Sequence, residues 1–205
     1  MGCLQSLASK IIFLALIVAF FHFGGYSFVR DKIMEYQNPP REEFIKTEKH
    51  FGDFSKVPVD YQLKRDSSLL GYKKTTAVYL PTGQKIAIFD MRNEYVIALN
   101  DFDTKEVDYK IKDVLGATRD SFMILDDIEV TQRGKMSAQN ATIPYVTFKA
   151  KVRNIPFKEV IGTMGAYKNI ERTSGEHHLK IILTIVDSSA YNPAILQNFI
   201  KGFRI

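Results

Sequence analysis

The sequence predicts an α+β protein: an N-terminal single transmembrane helix followed by one mainly antiparallel sheet packed by an internal helix and a C-terminal helix. Three observations lead to this fold class. A charge-free apolar segment runs from Ile11 to Val29. Several later segments alternate between apolar and polar residues, as strands do. Two further stretches carry apolar residues at helical spacing, one inside the chain and one at its end.

The apolar segment Ile11–Val29 contains no Asp, Glu, Lys or Arg and lies between Lys10 and Arg30. As a helix it reaches about 28 Å, close to the ~30 Å hydrocarbon core of a bilayer. We therefore expect a membrane, single-pass protein. It would comprise an N-terminal tail (1–10), a transmembrane anchor (11–29), a juxtamembrane stalk with a short helix (30–56) and an α+β soluble domain (57–205).

Two alternatives to a retained anchor stay open at the N-terminus. One is cleavage by a signal peptidase, although Phe21 and Phe23 stand where such a site prefers small residues. The other is lipidation, because the first six residues match a myristoylation pattern and Cys3 is a candidate for palmitoylation. A short tail followed by a domain is normally exported, so we expect the domain to be periplasmic or extracellular.

The first elements after the anchor are a short helix and a β-hairpin. Asn38–Pro40 breaks the stalk, and the acidic residues Glu42 and Glu43 suit the first turn of a helix. The alternating segments Thr76–Leu80 and Lys85–Asp90 flank a Pro-Thr-Gly-Gln turn, which predicts the hairpin.

The internal helix is predicted to start at Asp103 as N-cap and to end at Gly116. Its apolar residues recur at i, i+4, i+7 and i+8, namely Val107, Ile111, Val114 and Leu115. A strand is predicted over Ser121–Val130, and the polar stretch 133–143 is predicted to be a loop or a long hairpin tip.

Three more strands and a helix complete the domain. Tyr145–Arg153 alternates most clearly, with Phe157–Tyr167 following. Leu179–Val186 is apolar on both faces and is predicted to be a central strand. Asn192 as N-cap and Pro193 at the first helical position predict the C-terminal helix, with a wide apolar stripe.

Composition excludes several functions. The 28 basic and 23 acidic residues are interspersed, so no nucleic-acid partner is predicted. The single cysteine, Cys3, precedes the anchor, so the domain carries no disulfide and no cysteine metal ligand. No phosphate-loop, nucleophile-elbow or metal motif is present, and neither a cofactor nor a metal nor a catalytic residue is predicted.

The polar face of the Tyr145–Arg153 strand is the main candidate interaction surface. It carries Lys149, Lys151 and Arg153, and Lys158 follows. Near a bilayer such a face can contact a protein partner or an anionic lipid surface. We call these four residues the basic surface.

A weaker candidate is an acidic/His site composed of Asp126, Asp127, Glu129, His177 and His178. Paired carboxylates can divide acid and base roles when their environments differ. Strand alternation predicts that Asp127 and Glu129 share a face that Asp126 does not, and that the two histidines point to opposite faces. This site is the basis for a tethered hydrolase as an alternative function.

The order of elements from Val57 to Phe203, closed by the terminal helix Asn192–Phe203, resembles the Mog1/PsbP-like α/β/α domains. Members of that family are mostly small binding or assembly-factor domains. The resemblance implies a membrane-anchored extracytoplasmic binding or assembly module, non-enzymatic and of unknown specificity. It carries no residue motif, so no functional residue is transferred. The alternatives are the tethered hydrolase and a small lipid- or cargo-binding carrier domain.

Overall fold

The structure, a computed structural model, describes residues 10, 13–14, 17–20, 22, 24–66, 73–91, 97–118, 124–153, 155, 158–168 and 179–205. The chain divides into two compact units, Met1–Pro39 and Pro40–Ile205. Each unit is described by itself.

In the first unit, residues 10, 13–14, 17–20 and 22 are helical, and helix α1 spans Gly25–Gln37. Gly24 adopts a φ of 87°, in the left-handed region that glycine enters without steric cost. A Cβ atom on Gly25 would lie 2.4 Å from the ring of Phe20. The predicted helix Ile11–Val29 is therefore interrupted at Gly24. Within the part of the chain that the structure describes, no helix has the length and apolar character that crossing a membrane requires.

The second unit contains one seven-stranded sheet with the order β1-β2-β3-β7-β6-β5-β4, in which every neighbouring pair is antiparallel. This confirms an α+β protein built on one antiparallel sheet. In chain order, the helices and strands are α2 (Arg41–Thr47), β1 (Tyr61–Asp66), β2 (Lys74–Tyr79), β3 (Lys85–Met91), α3 (Glu106–Thr118), β4 (Leu125–Ser137), β5 (Thr142–Val152), β6 (Glu159–Lys168), β7 (Leu179–Asp187) and α4 (Pro193–Gly202).

Helices cover both faces of the sheet, and each face has its own apolar core. On the first face, α4 and the Phe44 side chain of α2 pack on Ile86, Ile88 and Ile182. On the second face, residues of α3 pack with apolar side chains of β3, β5, β6 and β7. Burial of these two sets of side chains stabilises the three layers.

Several elements confirm the predictions from sequence. The β2–β3 hairpin forms with Gly83 in the left-handed region of its turn. The strand β7 lies at the middle of the sheet, and its residues from Leu179 to Leu183 are buried on both faces. Helix α4 begins as predicted, since Asn192 Oδ1 accepts a hydrogen bond of 3.0 Å from the Ala194 N–H.

Both predicted boundaries of the internal helix are wrong. The helix starts at Glu106, and Asp103 is instead the last residue of a preceding 3-10 helix, Leu99–Asp103. Helix α3 continues through Gly116 to Thr118, because glycine weakens a helix but does not end it when the buried stripe holds the helix against the sheet.

Of the two alternatives predicted for the stretch 133–143, the long hairpin tip is confirmed, because β4 and β5 stay paired up to Ser137 and Thr142. β4 is an edge strand with polar side chains along most of its length, so hydrophobic alternation reveals only part of it.

Candidate functional site

The basic surface lies on the first face of the sheet, near the end of β5. Lys149, Lys151 and Arg153 are exposed, whereas Ala150 and Val152 between them are buried in the core of the second face. The predicted alternation of this strand is therefore confirmed. Lys158, just before β6, is half-buried, and its carbonyl accepts a hydrogen bond of 3.0 Å from the Val152 N–H.

Acidic side chains of β4 pair with this surface. Arg153 donates two hydrogen bonds of 2.6 Å to the carboxylate of Asp126. Lys151 Nζ lies 2.9 Å from Asp127 Oδ2. Glu129 stands opposite Lys149 in the strand register. The acidic and basic candidate residues, treated separately in the sequence, therefore form one charge-paired surface.

A β-bulge determines which carboxylates share a face. The register pairs Asp126 with Lys151 and Glu129 with Lys149, so two residues of β4 lie opposite one residue of β5 between those pairs. Asp127 adopts a φ of 51°, in the left-handed region. Asp126 and Glu129 are therefore on the side of the lysines. The prediction that Asp127 and Glu129 share a face without Asp126 is wrong, because the extra residue shifts the alternation.

Pairing stabilises the ionised forms of Asp126, Lys151 and Arg153. The hydrogen bonds from Arg153 lower the pKa of the Asp126 carboxyl, and the same contact raises the pKa of Arg153. The hydrogen bond to Asp127 likewise raises the pKa of Lys151. A general acid needs a carboxyl group that keeps its proton near neutral pH, which is the opposite of the effect on Asp126. The direction of the shift therefore does not favour Asp126 as a general acid.

The remaining candidates of the acidic/His site, His177 and His178, lie outside the described residues. Among the residues whose placement is described, no three His, Cys, Asp or Glu side chains are arranged to hold a metal ion.

A second charged cluster, which the sequence analysis did not identify, lies inside the sheet. Asp90 of β3 and Lys180 of β7 are register partners, and Asp90 Oδ2 lies 2.7 Å from Lys180 Nζ. Their side chains are only 9% and 5% exposed. The second carboxylate oxygen, Asp90 Oδ1, is buried and has no hydrogen-bond partner among the described residues. Burying a carboxylate with one unsatisfied oxygen lowers the stability of the folded state. The net contribution of the Asp90–Lys180 pair therefore depends strongly on the groups that surround it.

Aromatic residues surround this buried ion pair. Lys180 Nζ lies 5.8 Å from the centre of the Phe51 ring, within the range of a cation–π contact. The hydroxyl of Tyr167, the register partner of Lys180 on β6, donates a hydrogen bond to the Phe51 carbonyl. Burial lowers the pKa of Lys180, although Asp90 opposes that effect, and burial raises the pKa of Tyr167 well above its usual value.

A neighbouring polar group connects α2 to the edge strand β1. Arg65 Nε donates a hydrogen bond of 2.8 Å to Glu48 Oε1, and both side chains are mostly buried. His50 Nε2 lies 3.9 Å from the other carboxylate oxygen of Glu48. Burial lowers the pKa of His50, and Glu48 acts in the opposite direction. The cluster holds the segment after α2 against the same end of the sheet as the Asp90–Lys180 pair.

Two sequence signals point to the buried pair in retrospect. Lys180 is the one charged residue in the segment LKIILTIV, and Asp90 is the acidic residue that follows KIAIF. Opposite charges in two strands predicted to be buried favour an ion pair. That inference also requires β3 and β7 to be neighbours, which hydrophobic periodicity does not predict.

The sequence matches no protein-family model, and it matches no curated protein. The interpretation of both clusters therefore rests on their geometry.

Proposed function

We propose that this protein is a membrane-anchored extracytoplasmic binding or assembly module. The observation that carries the proposal is the exposure of apolar side chains in the helical part of the first unit. Phe13, Leu14, Val18 and Phe20 are exposed there. Apolar side chains concentrated on one exposed helical segment favour contact with a membrane or a partner.

Binding rather than catalysis is supported by the charge-paired surface of β4 and β5. Asp126 and Asp127 are each engaged by a basic side chain, and Arg153 stabilises the ionised form of Asp126. A tethered hydrolase receives no support from carboxylates held in this way. Exposed ion pairs contribute little to stability, so such residues can exchange partners at low cost.

The carrier alternative requires an apolar cavity between the sheet and its helices. In the core beneath α4, Phe54 and Phe203 have ring centres 5.0 Å apart, and Phe199 and Phe203 stack at 5.8 Å. Tyr61 packs on Phe199 at 5.6 Å, and its hydroxyl donates a hydrogen bond to the Ile195 carbonyl. This close packing of aromatic rings beneath α4 favours a binding module over a carrier.

Alkaline extraction of membranes tests the anchor. The full chain is expected to stay with the membrane pellet, whereas Leu14→Arg/Val18→Arg is expected to be released, because each buried charge costs about 2.5–3.5 kcal/mol. The matched control Leu14→Phe/Val18→Ile keeps the segment apolar and is expected to stay in the pellet. Release of the unaltered chain by alkali would contradict the proposal.

Site-specific photocrosslinking tests the binding surface. A photoreactive residue in place of Lys149 is expected to give a discrete crosslinked product in intact membranes. The control position is Lys201, an exposed residue of α4. Equal products, or none, from the two positions would count against recognition through the β4–β5 surface.

A further inference from the structure

Two apolar side chains are exposed to solvent at one end of the second unit. Val59 is 80% exposed, the highest value among its described large hydrophobic residues, and Leu80 is 59% exposed. The Leu80 N–H donates a hydrogen bond of 2.9 Å to the Asp60 carbonyl, so the loop before β1 and the β2–β3 hairpin are adjacent. We call the end of the sheet that carries Val59 and Leu80 the hairpin end.

The second unit begins at this same end. Arg41, the first residue of α2, donates hydrogen bonds of 3.5 Å to the Pro58 carbonyl and 3.2 Å to the Tyr61 carbonyl. It also donates a hydrogen bond to the Val57 carbonyl. The loop that carries Val59 is therefore held directly against the residue at which the chain enters this unit.

Covalent connectivity limits how far the hairpin end can lie from the apolar segment. Residues 30–40 separate Val29 from Arg41 and span at most about 40 Å when fully extended. Helix α1 includes most of them, and a helix is shorter than an extended chain. The covalent connection to the apolar segment therefore joins the second unit at its hairpin end.

Basic side chains accompany the apolar pair. Lys56 and Lys85 are exposed, and within the described part of the chain neither forms a salt bridge. Asp60 follows Val59 in the chain, and Asp187 ends β7. By contrast, Lys151 and Arg153 of the basic surface are engaged by Asp127 and Asp126. Lys56 precedes Val59 by three residues, and Lys85 follows the turn after Leu80. Lysines close in the chain to exposed aliphatic side chains match the chemistry of an anionic lipid surface.

We propose that Val59 and Leu80 insert among lipid headgroups and hold the second unit with its hairpin end against the bilayer. The occupant of this patch is the anionic lipid surface, and Lys56 and Lys85 add electrostatic attraction. This inference rests on the membrane anchoring proposed above. The hairpin end would be a second point of contact with the membrane, in addition to the apolar segment. Two points of contact fix the orientation of the charge-paired surface relative to the bilayer.

Lipid-attached nitroxide quenching tests the contact in the full chain. Each variant carries Cys3→Ser and one new cysteine labelled with an environment-sensitive fluorophore, in phosphatidylcholine/phosphatidylglycerol vesicles. The new cysteines are Val59→Cys and Leu80→Cys at the patch, Ile17→Cys in the apolar segment and Tyr109→Cys as control. Tyr109 is 77% exposed, which matches Val59.

A nitroxide at the level of the headgroups is expected to quench the labels at positions 59 and 80 but not the label at 109. Insertion into the bilayer is expected to shift the emission of the labels at 59 and 80 to the blue. With the label at position 80, Val59→Asp is expected to lower the ratio of docked to undocked molecules about tenfold, through the lost apolar burial.

Quenching at position 17 with no more quenching at 59 and 80 than at 109 overturns this inference and leaves the anchoring intact. A blue shift at 59 and 80 without lipid quenching indicates a protein occupant and also overturns it. Absence of quenching at 17 overturns the anchoring, and this inference with it.

Discussion

The carboxylate of Asp90 and the ammonium group of Lys180 face each other across β3 and β7, with almost no contact with solvent. Removing a charge from water costs several kcal/mol, and one close partner offsets this only in part. Asp90 Oδ1 adds to the cost because it lacks a hydrogen-bond partner among the described residues. Replacing one partner by an apolar residue should therefore lower the free energy of unfolding far more than replacing both.

Lys180→Met is expected to lower the free energy of unfolding by about 3–5 kcal/mol, because it leaves Asp90 buried and uncompensated. Adding Asp90→Leu should restore most of the loss, since two apolar side chains then replace the pair. Guanidinium unfolding followed by circular dichroism measures both. Lys201→Met, on the exposed side of α4, is the control and should have an effect within about 0.5 kcal/mol. A double variant as unstable as the single one would refute this account.

His50 gives the protein a pH dependence with a defined sign. Burial lowers its folded-state pKa below the usual value of about 6.5, so below pH ~6.5 the unfolded chain binds more protons than the folded one. The stability contribution is present above the unfolded-state pKa and is lost as the pH falls through the folded-state pKa. Urea midpoints measured between pH 7.5 and pH 5 should therefore fall less steeply for His50→Gln than for the natural chain. Identical slopes would show that His50 is not responsible.

At the scale of elements, the bulge in β4 decides how the edge of the sheet meets β5. One extra residue at Asp127–Ile128 brings Asp126 and Glu129 to the side of Lys149 and Lys151. A second register shift follows between Val130 and Gln132. Bulges and charged side chains both discourage pairing of an edge strand with another chain. The same irregularity therefore shapes the candidate surface and protects the edge.

The left-handed conformation of Asp127 makes the bulge testable by substitution. A β-branched residue is strained there, so Asp127→Val should destabilise the protein by about 1–2 kcal/mol. Asp127→Gly removes the same exposed ion pair with Lys151 without the strain and should be close to neutral. Thermal unfolding compares the two variants. Equal destabilisation would mean that the ion pair, and not the backbone conformation, matters at this position.

Helix α4 is stabilised by a stripe of buried apolar side chains and by the N-cap residue Asn192. Phe199→Ala should cost about 3–5 kcal/mol, because the ring is fully buried against Tyr61 and Phe203. Asn192→Ala should cost about 1 kcal/mol through loss of the bond to the Ala194 N–H. Gln197→Ala, on the exposed face of the same helix, is the control for both. Denaturant unfolding should rank the three variants in that order, and any other order would contradict this assignment.

At the scale of the whole molecule, local patterns predicted the fold class well. Alternation identified β5, continuous apolar sequence identified the central strand β7, and capping chemistry identified the start of α4. Each signal is contained in a few consecutive residues. The extent of β4 escaped prediction because an exposed edge strand needs no apolar alternation.

The candidate sites were harder to predict because they depend on which strands are neighbours. The contact of Asp126 with Arg153 requires both the β4–β5 pairing and a bulge. The contact of Asp90 with Lys180 joins residues on strands separated by most of the domain sequence. The sequence identifies the charged residues themselves but does not predict which of them form ion pairs with each other. The interruption of the apolar segment at Gly24 depends on a backbone conformation that the hydropathy pattern does not contain.

The central claim is that an apolar N-terminal segment holds the second unit on the outer side of a membrane. The most direct test is labelling of the Cys3→Ser/Tyr109→Cys chain with a membrane-impermeant maleimide in intact cells. We expect the cysteine at position 109 to be labelled without permeabilisation, while a cytoplasmic control protein is not. Labelling only after the membrane is permeabilised would place the unit on the inner side and refute the proposed topology.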